Sequence, residues 1–306
     1  MTELVDIHRA YRDELLTHGL LISMGVDGLY GRSGLFEEVV DGINAAFGKV
    51  GDPDGPEVMR FPPGIGKWQL EQSGYLKSSP QLVGTIHSFS GGDADHRAML
   101  DALGKGDDWT GNQRTTQVAL APAACYGVYP AVGARGRMGD NGALVDCYTY
   151  CFRHEPSVDP ARMQMFRQRE HVRLGSEEQA LAFREKWKQR GQEIIGSFGL
   201  PFEVDIANDP FFGRTGRLLA ASQREESLKF ELLVPIHARE HPTACCSFNY
   251  HRDLFGRAWK IETANGTPAH TACVGFGVER ITLALFKHHG FAVEQWPGKV
   301  RGVLGL

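Results

Sequence analysis

The sequence predicts an α+β fold built on an antiparallel sheet flanked by helices. Three observations carry that prediction. Strand-like segments cluster late in the chain, between Ser227 and Gly277, and alternate with turns. Helical patterns are interspersed irregularly, without the regular strand–helix alternation of a doubly wound sheet. Two further strands, over 142–155 and 163–174, flank a polar, proline-containing loop in mid-chain.

Taken in chain order, residues 2–19 read as a helix. From Ser33, the run GLFEEVVDGINAAFGKV places Leu35, Val39, Ile43 and Phe47 at helical spacing, with Ser33 as the expected N-cap. GDPDGP at 51–56 is turn chemistry, and EVMRFPP reads as a short strand stopped by Pro62 and Pro63. QVALAPAACYGVYPAVG, residues 117–133, is apolar and strand-like, broken by proline and glycine. The clearest helix spans 176–199: Ser176 and Gln179 form a capping box, and Ala180, Phe183, Trp187, Ile194 and Phe198 share one face. Beyond Pro201, the strand-like segments are SLKFELLVPI, TACCSFNYH, RAWKIETA and HTACVGFG, followed by a last helix, VERITLALFKHH, ended by Gly290.

At 306 residues the chain can bury a full-sized core, and we expect a single domain over 1–306. A net charge of −4 implies no broad basic face for nucleic acid. The N-terminal stretch MTELVDIHRAYRDELLTHG carries charges throughout and has no apolar core, so it is not a signal peptide. No apolar run approaches the roughly 18 residues of a membrane helix, so no membrane role is expected. Six scattered cysteines then favour a cytoplasmic protein with free thiols or metal ligands over a disulfide framework.

Three motifs are set aside. GFGVER at 275–280 lacks the third glycine and the βαβ unit of a dinucleotide site. GIGKW at 64–68 lacks the Walker spacing. HAREH at 237–241 matches H-x-x-E-H of the inverzincin proteases, but Pro235, Pro242 and strand-like flanks fit a solvated turn better than a helix.

The stretch CFRHEPSVDPARMQMFRQREHVRLG, 151–175, loads two neighbouring strands with charge, which demands partners. Together with two other segments it resembles the signature motifs of class II aminoacyl-tRNA synthetases. The helix from Ser33 and EVMRFPP, about 33–63, resemble motif 1, the dimer-interface unit. CFRHE, its loop and MFRQRE, about 147–174, resemble motif 2, and GFGVERITLALF, within about 273–290, resembles motif 3. More narrowly, FPPGIGKWQLEQSGYLKSSPQL and QVALAPAACYGVYP are similar to the catalytic core of the atypical zinc-dependent, methanogen-type seryl-tRNA synthetases. They are also similar to that core's truncated relatives, the amino acid:[carrier protein] ligases.

The resemblance implies a class II synthetase-like catalytic fold without a tRNA-binding domain. It puts Arg153 at the motif 2 arginine that holds the α-phosphate of ATP, and Glu155 where the adenine amino group is met. Arg280 matches the motif 3 arginine that covers adenine and reaches the γ-phosphate. His171 falls at an adenine-stacking position, Glu262 at a magnesium carboxylate, and Glu231 at a substrate-pocket position. Cys125, Glu170 and Cys273 match the zinc ligands, leaving a fourth position open for the substrate amine.

The function so implied is ATP-dependent activation of a small amino acid, glycine or alanine, and its transfer to the phosphopantetheine thiol of an acidic carrier protein by a homodimeric enzyme. Zn²⁺ and Mg²⁺ are the expected metals, and tRNA is an unlikely partner. The alternatives are a tRNA synthetase working with a separate tRNA-binding chain, and a non-catalytic amino-acid sensor. Arg184, Lys186, Lys188 and Arg190, a local basic run in the 176–199 helix, are the expected docking site for the carrier.

Overall fold

The computed structural model describes residues 2–306. The chain begins with α1 (Thr2–Thr17), the ribbon β1 (Leu21–Val26) and β2 (Leu29–Arg32), and α2 (Gly34–Gly51). Then come β3 (Glu57–Arg60), β4 (Gly64–Gly66), α3 (Lys67–Gln72), α4 (Tyr75–Ser78), β5 (Thr85–Phe89), α5 (Asp93–Lys105), β6 (Gln113–Leu120) and α6 (Val128–Gly133). The centre of the chain forms β7 (Ala143–Phe152), β8 (Met165–Gly175), α7 (Glu177–Ser197), β9 (Glu203–Ile206) and α8 (Gly213–Glu225). The last part holds β10 (Lys229–Ala238), β11 (His241–Arg252), α9 (Leu254–Trp259), β12 (His270–Gly277), α10 (Val278–His289) and α11 (Gly298–Leu304).

Seven strands form the main sheet in the order β3-β7-β8-β12-β11-β10-β9. All neighbours pair antiparallel except β3 on β7, which is parallel. β4, β6 and β5 make a smaller sheet. The main sheet is sandwiched, and each face has its own core. On one face, Phe36, Ile43 and Phe47 of α2, Trp187 of α7 and Phe286 of α10 pack on Phe248, Val274 and Phe276. On the other, Val128 and Tyr129 of α6 and Phe255 of α9 pack on Val145, Cys147, Val172 and Cys273. β12 is therefore buried on both sides, which explains its nearly unbroken apolar run.

The expected caps are in place. Ser33 Oγ accepts from Phe36 N at 3.2 Å, while Ser176 Oγ accepts from Gln179 N at 3.2 Å and Gln179 Oε1 from Ser176 N at 3.1 Å. HAREH is split by a hairpin between β10 and β11, so it is no metalloprotease helix.

Three expectations fail for identifiable reasons. The buried stripe of α2 runs through Phe36, Val39, Val40, Ile43 and Phe47, and Leu35 faces outward at 36% exposure. QVALAPAACYGVYPAVG is a strand only to Leu120; a 3₁₀ turn and α6 follow, and α6 tolerates Pro130 because it lies in the first turn. RAWKIETA is not a strand. Its first part ends α9, and Lys260 turns the chain at φ 52°. Gly256 in α9 lies against the backbone of Ala269, where an added Cβ would meet the carbonyl oxygen at 2.1 Å. That contact brings α9 close against the chain entering β12.

One buried carboxylate joins the three motif segments. Glu279, in the first turn of α10, accepts from Arg167 Nε at 2.7 Å and Arg167 N at 2.8 Å, and pairs with Arg32 of β2 at 3.3 Å. Arg167 turns its remaining nitrogens to Glu37 of α2, at 2.5 and 2.9 Å. Removing one member of a buried ion network leaves the others uncompensated, so Glu279→Ala should cost about 3–5 kcal/mol. Chemical denaturation checks this, and a loss below about 1 kcal/mol would refute a central role for the network.

Candidate active site and metal centre

Strand alternation decides which side chains can meet. Met59, Cys147, Glu170, Gly275, Ser247 and Glu231 stand opposite one another across β3, β7, β8, β12, β11 and β10. One pleat along, Cys273 lies between Val172 and Asn249, with Lys229 beyond. Residues directly opposite share a face, so Glu170, Cys273 and Glu231 all point to the α6/α9 side.

Cys125 reaches that face from the 3₁₀ turn before α6 rather than from a strand. Its Sγ, the Cys273 Sγ and a Glu170 oxygen lie within 4.8 Å of one another. All three side chains are buried. Glu170 Oε1 accepts from the backbone N–H of Ala124 at 2.9 Å and of Cys125 at 3.4 Å. Burial and the neighbouring Cys273 nevertheless push the Glu170 carboxyl up to about 8. The neighbouring Cys273 and burial push the Cys125 thiol up, while Cys125, with help from His251 and Asn249, holds Cys273 down. Asn249 Nδ2 donates to Cys273 Sγ at 3.4 Å and His251 Nε2 lies 3.8 Å from it. Two sulfurs and a carboxylate, buried together and paired with no lysine or arginine, are the donor set of a borderline-soft dication such as zinc. The residues fit that ion.

The two predicted arginines converge at one end of the sheet. Arg153 follows β7; its Nε donates to Pro122 O at 3.1 Å and its guanidinium lies 5.4 Å from the Phe166 ring centre. Arg280, at the start of α10, donates to Ala161 O and Ala244 O, each at 2.8 Å. Burial, then the like charge of Arg153, holds Arg280 below its ordinary value. Glu155 sits in the β7–β8 loop, 3.1 Å from Arg162.

Several predicted residues do not join this constellation. His171 follows Glu170 and therefore points to the opposite face, where it stacks on Trp187 at 4.5 Å and burial pushes it down to about 4. It cannot stack on a nucleotide held by Arg153. Arg167 and Arg169 share that face and are satisfied within the fold, Arg169 by Asp146 at 2.7 Å. Glu262 is not on a strand; it bridges to Pro268 and pairs with Arg137 at 3.1 Å, beside the His270 end of β12. Arg280 lies past the other end of that strand, on the order of 25 Å away at about 3.3 Å per residue. Glu262 is therefore no ligand for magnesium on the same nucleotide.

The basic run on α7 is not a free surface either. Lys186 and Arg190 both hold Asp54, at 2.7 and 2.5 Å, and Lys188 pairs with Glu185 at 2.5 Å. Arg184 donates to Ser227 O at 2.7 Å. α7 moreover covers the face opposite the metal set, which corrects the expected docking site.

The sequence reading missed a second polar group on the active face. Lys229 binds Asp209 at 2.7 Å and Glu231 at 2.9 Å. Burial raises Asp209, but Lys229, Gln223 and Arg153 outweigh it and hold the carboxyl at about 2. Alternation in KFELL and SFNYH was the available signal for Lys229, Ser247 and Asn249. Nothing local pointed to Asp209.

The chain is 48% identical over 291 residues to amino acid–[acyl-carrier-protein] ligase 2 of Bradyrhizobium diazoefficiens, covering 95% of this chain and 87% of that one. The chain belongs to the amino acid–[acyl-carrier-protein] ligase family. Ligase 1 of the same organism is 46% identical over 95% of this chain and 89% of its own length. This ligase is also 22% identical, over 63% of its chain, to a type-2 serine–tRNA ligase of Methanococcus aeolicus, covering 38% of that protein. Among solved structures, the M. kandleri SerRS in complex with A. aeolicus tRNASec superposes with a TM-score of 0.81 at 19% identity, over 96% of this chain and 60% of that one. The seryl-tRNA synthetase of Pyrococcus horikoshii, complexed with ATP, gives 0.68 at 14% identity, over 97% and 62%. These likenesses establish the class II synthetase fold. No family model matches the chain.

After passage over a chelating resin, the ligase should retain about one zinc per chain, and Cys125→Ala/Cys273→Ala should retain none while keeping its circular dichroism. Full zinc in the resin-treated double variant would assign the ion elsewhere.

Proposed function

We propose that this ligase uses ATP to convert a small amino acid, glycine or alanine, into an aminoacyl-adenylate, and passes the aminoacyl group to the phosphopantetheine thiol of a carrier protein. The observation that carries the reading is the convergence of Arg153 and Arg280 beside the Cys125, Glu170 and Cys273 set in a chain of this family. Adenylation needs a carboxylate aligned on an α-phosphate, with pyrophosphate leaving, so positioning and charge stabilisation are the main demands. Arg153 would hold the α-phosphate with its planar fork, Glu155 the adenine amino group, and Arg280 the far phosphates. ATP would enter as its magnesium complex.

A zinc ion held by Cys125, Glu170 and Cys273 would bind the free amine of the substrate and disfavour hydroxy acids. Gly275 lies tightly between Glu170 and Ser247: an added Cβ would come within 3.3 Å of Ser247 Oγ and 3.6 Å of Glu170 Cγ, so a side chain there would crowd both. A substrate lying over Gly275 would have Ser247 and the Lys229–Glu231 pair beside it, a polar surround suited to a small amino acid. The carrier thiolate then attacks the mixed anhydride and expels AMP, so no protein nucleophile is required. The ligase is proposed to work as a homodimer through motif 1. Val58 of β3, within motif 1, and Ile22, Met24 and Val26 of β1, which precedes it, are each more than half exposed and offer apolar surface for such a contact.

ATP–[³²P]pyrophosphate exchange with a panel of amino acids tests the reading. Exchange should appear with glycine or alanine, and Arg153→Ala or Arg280→Ala should lower it on the order of 10²-fold or more while zinc content stays unchanged. Near-normal exchange in both variants would remove these arginines from the chemistry, and no exchange with any amino acid would remove adenylation itself.

A further inference from the structure

A second cluster of metal-type donors lies outside the site described above. His8 of α1, Asp159 of the β7–β8 loop and His237 near the end of β10 come from three distant parts of the chain, yet their donor atoms lie within 4.8 Å of one another. His237 Nε2 is 2.9 Å from Asp159 Oδ1, and His8 Nε2 is 3.9 Å from Asp159 Oδ2. The imidazole rings are 4.5 Å apart. His237 is 1% exposed, Asp159 12% and His8 16%, so the cluster is enclosed but reachable past His8.

We propose that His8, Asp159 and His237 form a second divalent-metal site that staples the N-terminal helix to the β7–β8 loop. Two imidazoles and one carboxylate suit a first-row transition ion with open positions for water. Tetrahedral bonds of about 2.1 Å set donors roughly 3.4 Å apart, so the His8–Asp159 pair would close and the His237–Asp159 pair open, each by about half an ångström.

Nearby cations do not block the site. Arg162 engages Glu155, and Arg280 is turned to the carbonyls of Ala161 and Ala244. The staple would also reach the active end of the sheet. Asp159 Oδ1 accepts from Ala161 N at 2.8 Å, and the Ala161 carbonyl accepts from Arg280. A metal on Asp159 would therefore stiffen the seat of Arg280 without touching substrate.

The test uses Cys125→Ala/Cys273→Ala, which removes the first donor set, stripped with chelator and titrated with Zn²⁺ against a metallochromic competitor. About one equivalent should bind saturably and raise the melting temperature by a few degrees. Adding His8→Ala or, separately, Asp159→Asn should weaken binding at least tenfold and abolish the thermal gain, with circular dichroism confirming the metal-free fold. His96→Ala, an exposed control, should change neither. If the double variant does not fold, the same titration on the stripped wild-type protein should give about two equivalents, with one lost in His8→Ala. No saturable binding, or binding that survives both His8→Ala and Asp159→Asn, overturns the proposal. Neither outcome bears on adenylation, which the exchange assay reads independently.

Discussion

The bidentate grip of Glu279 on Arg167 is the interaction on which the rest of the structure depends. A carboxylate and a guanidinium this deeply buried would be a liability alone, because desolvating each ion costs several kcal/mol. Here both are fully engaged. Glu279 takes the Arg167 side chain and backbone N–H and faces Arg32, while Arg167 spends its remaining donors on Glu37. The result ties α2, β2, β8 and α10 at one point. It also fixes the start of α10 relative to β8, and so the origin of the Arg280 side chain one residue on. A hydrophobic contact could hold those elements together, but it would not set their register as tightly as two forked hydrogen-bonding groups.

That grip divides β8 into two jobs. On the helix-covered face, Arg167, Arg169 and His171 are consumed by Glu279, Asp146 and the Trp187 ring. On the other face, Gln168 and Glu170 look toward the chemistry. Alternation makes this division absolute: a strand can be charged on both sides, yet each side answers to a different environment. β12 obeys the same logic, with Val274 and Phe276 in the helix-side core and Cys273 and Gly275 lining the active face.

Much of this was legible in the sequence where the cause is local. Ser33 and Ser176 announced their helices because a cap is decided within four residues, and the order of the three motif-like segments announced the fold. The failures share a physical origin in distance. Glu170 and His171 are adjacent in sequence, and only the sheet register says which one meets Cys125 and Cys273. The α7 basic run looked free because Asp54, which holds Lys186 and Arg190, is far away in the chain. Glu262 was assigned by its place before β12, but Lys260 turns the chain after α9 at φ 52°, and the segment does not form a strand. The HAREH stretch was correctly denied a helix, yet His237 proved to be a buried partner of Asp159 rather than a solvated turn residue.

The contrast between the two kinds of buried acid separates architecture from function. Glu279 and Asp146 are matched by arginines of the chain itself, so their charges are complete without a ligand. Glu170 has only backbone N–H groups and the Cys125 thiol, and the neighbouring Cys273 adds negative charge rather than relieving it. Fold stability alone would favour leucine or valine at such a position, since an apolar side chain of similar size avoids the desolvation cost. Cys125 and Cys273, each able to carry a thiolate, compound that cost. A set of three acids whose one basic neighbour is His251, at 3.8 Å from Cys273, is costly to the fold, and it suits the proposed cation where the arginine-matched acids do not. Arg153 and Arg280 form the complementary case, two cations brought near each other with backbone carbonyls as their direct partners. An anion such as a polyphosphate relieves that pairing, as a dication relieves the acids. Both groups lie on one side of the sheet, where the proposed reaction would bring an amine-bearing carboxylate and a nucleotide together.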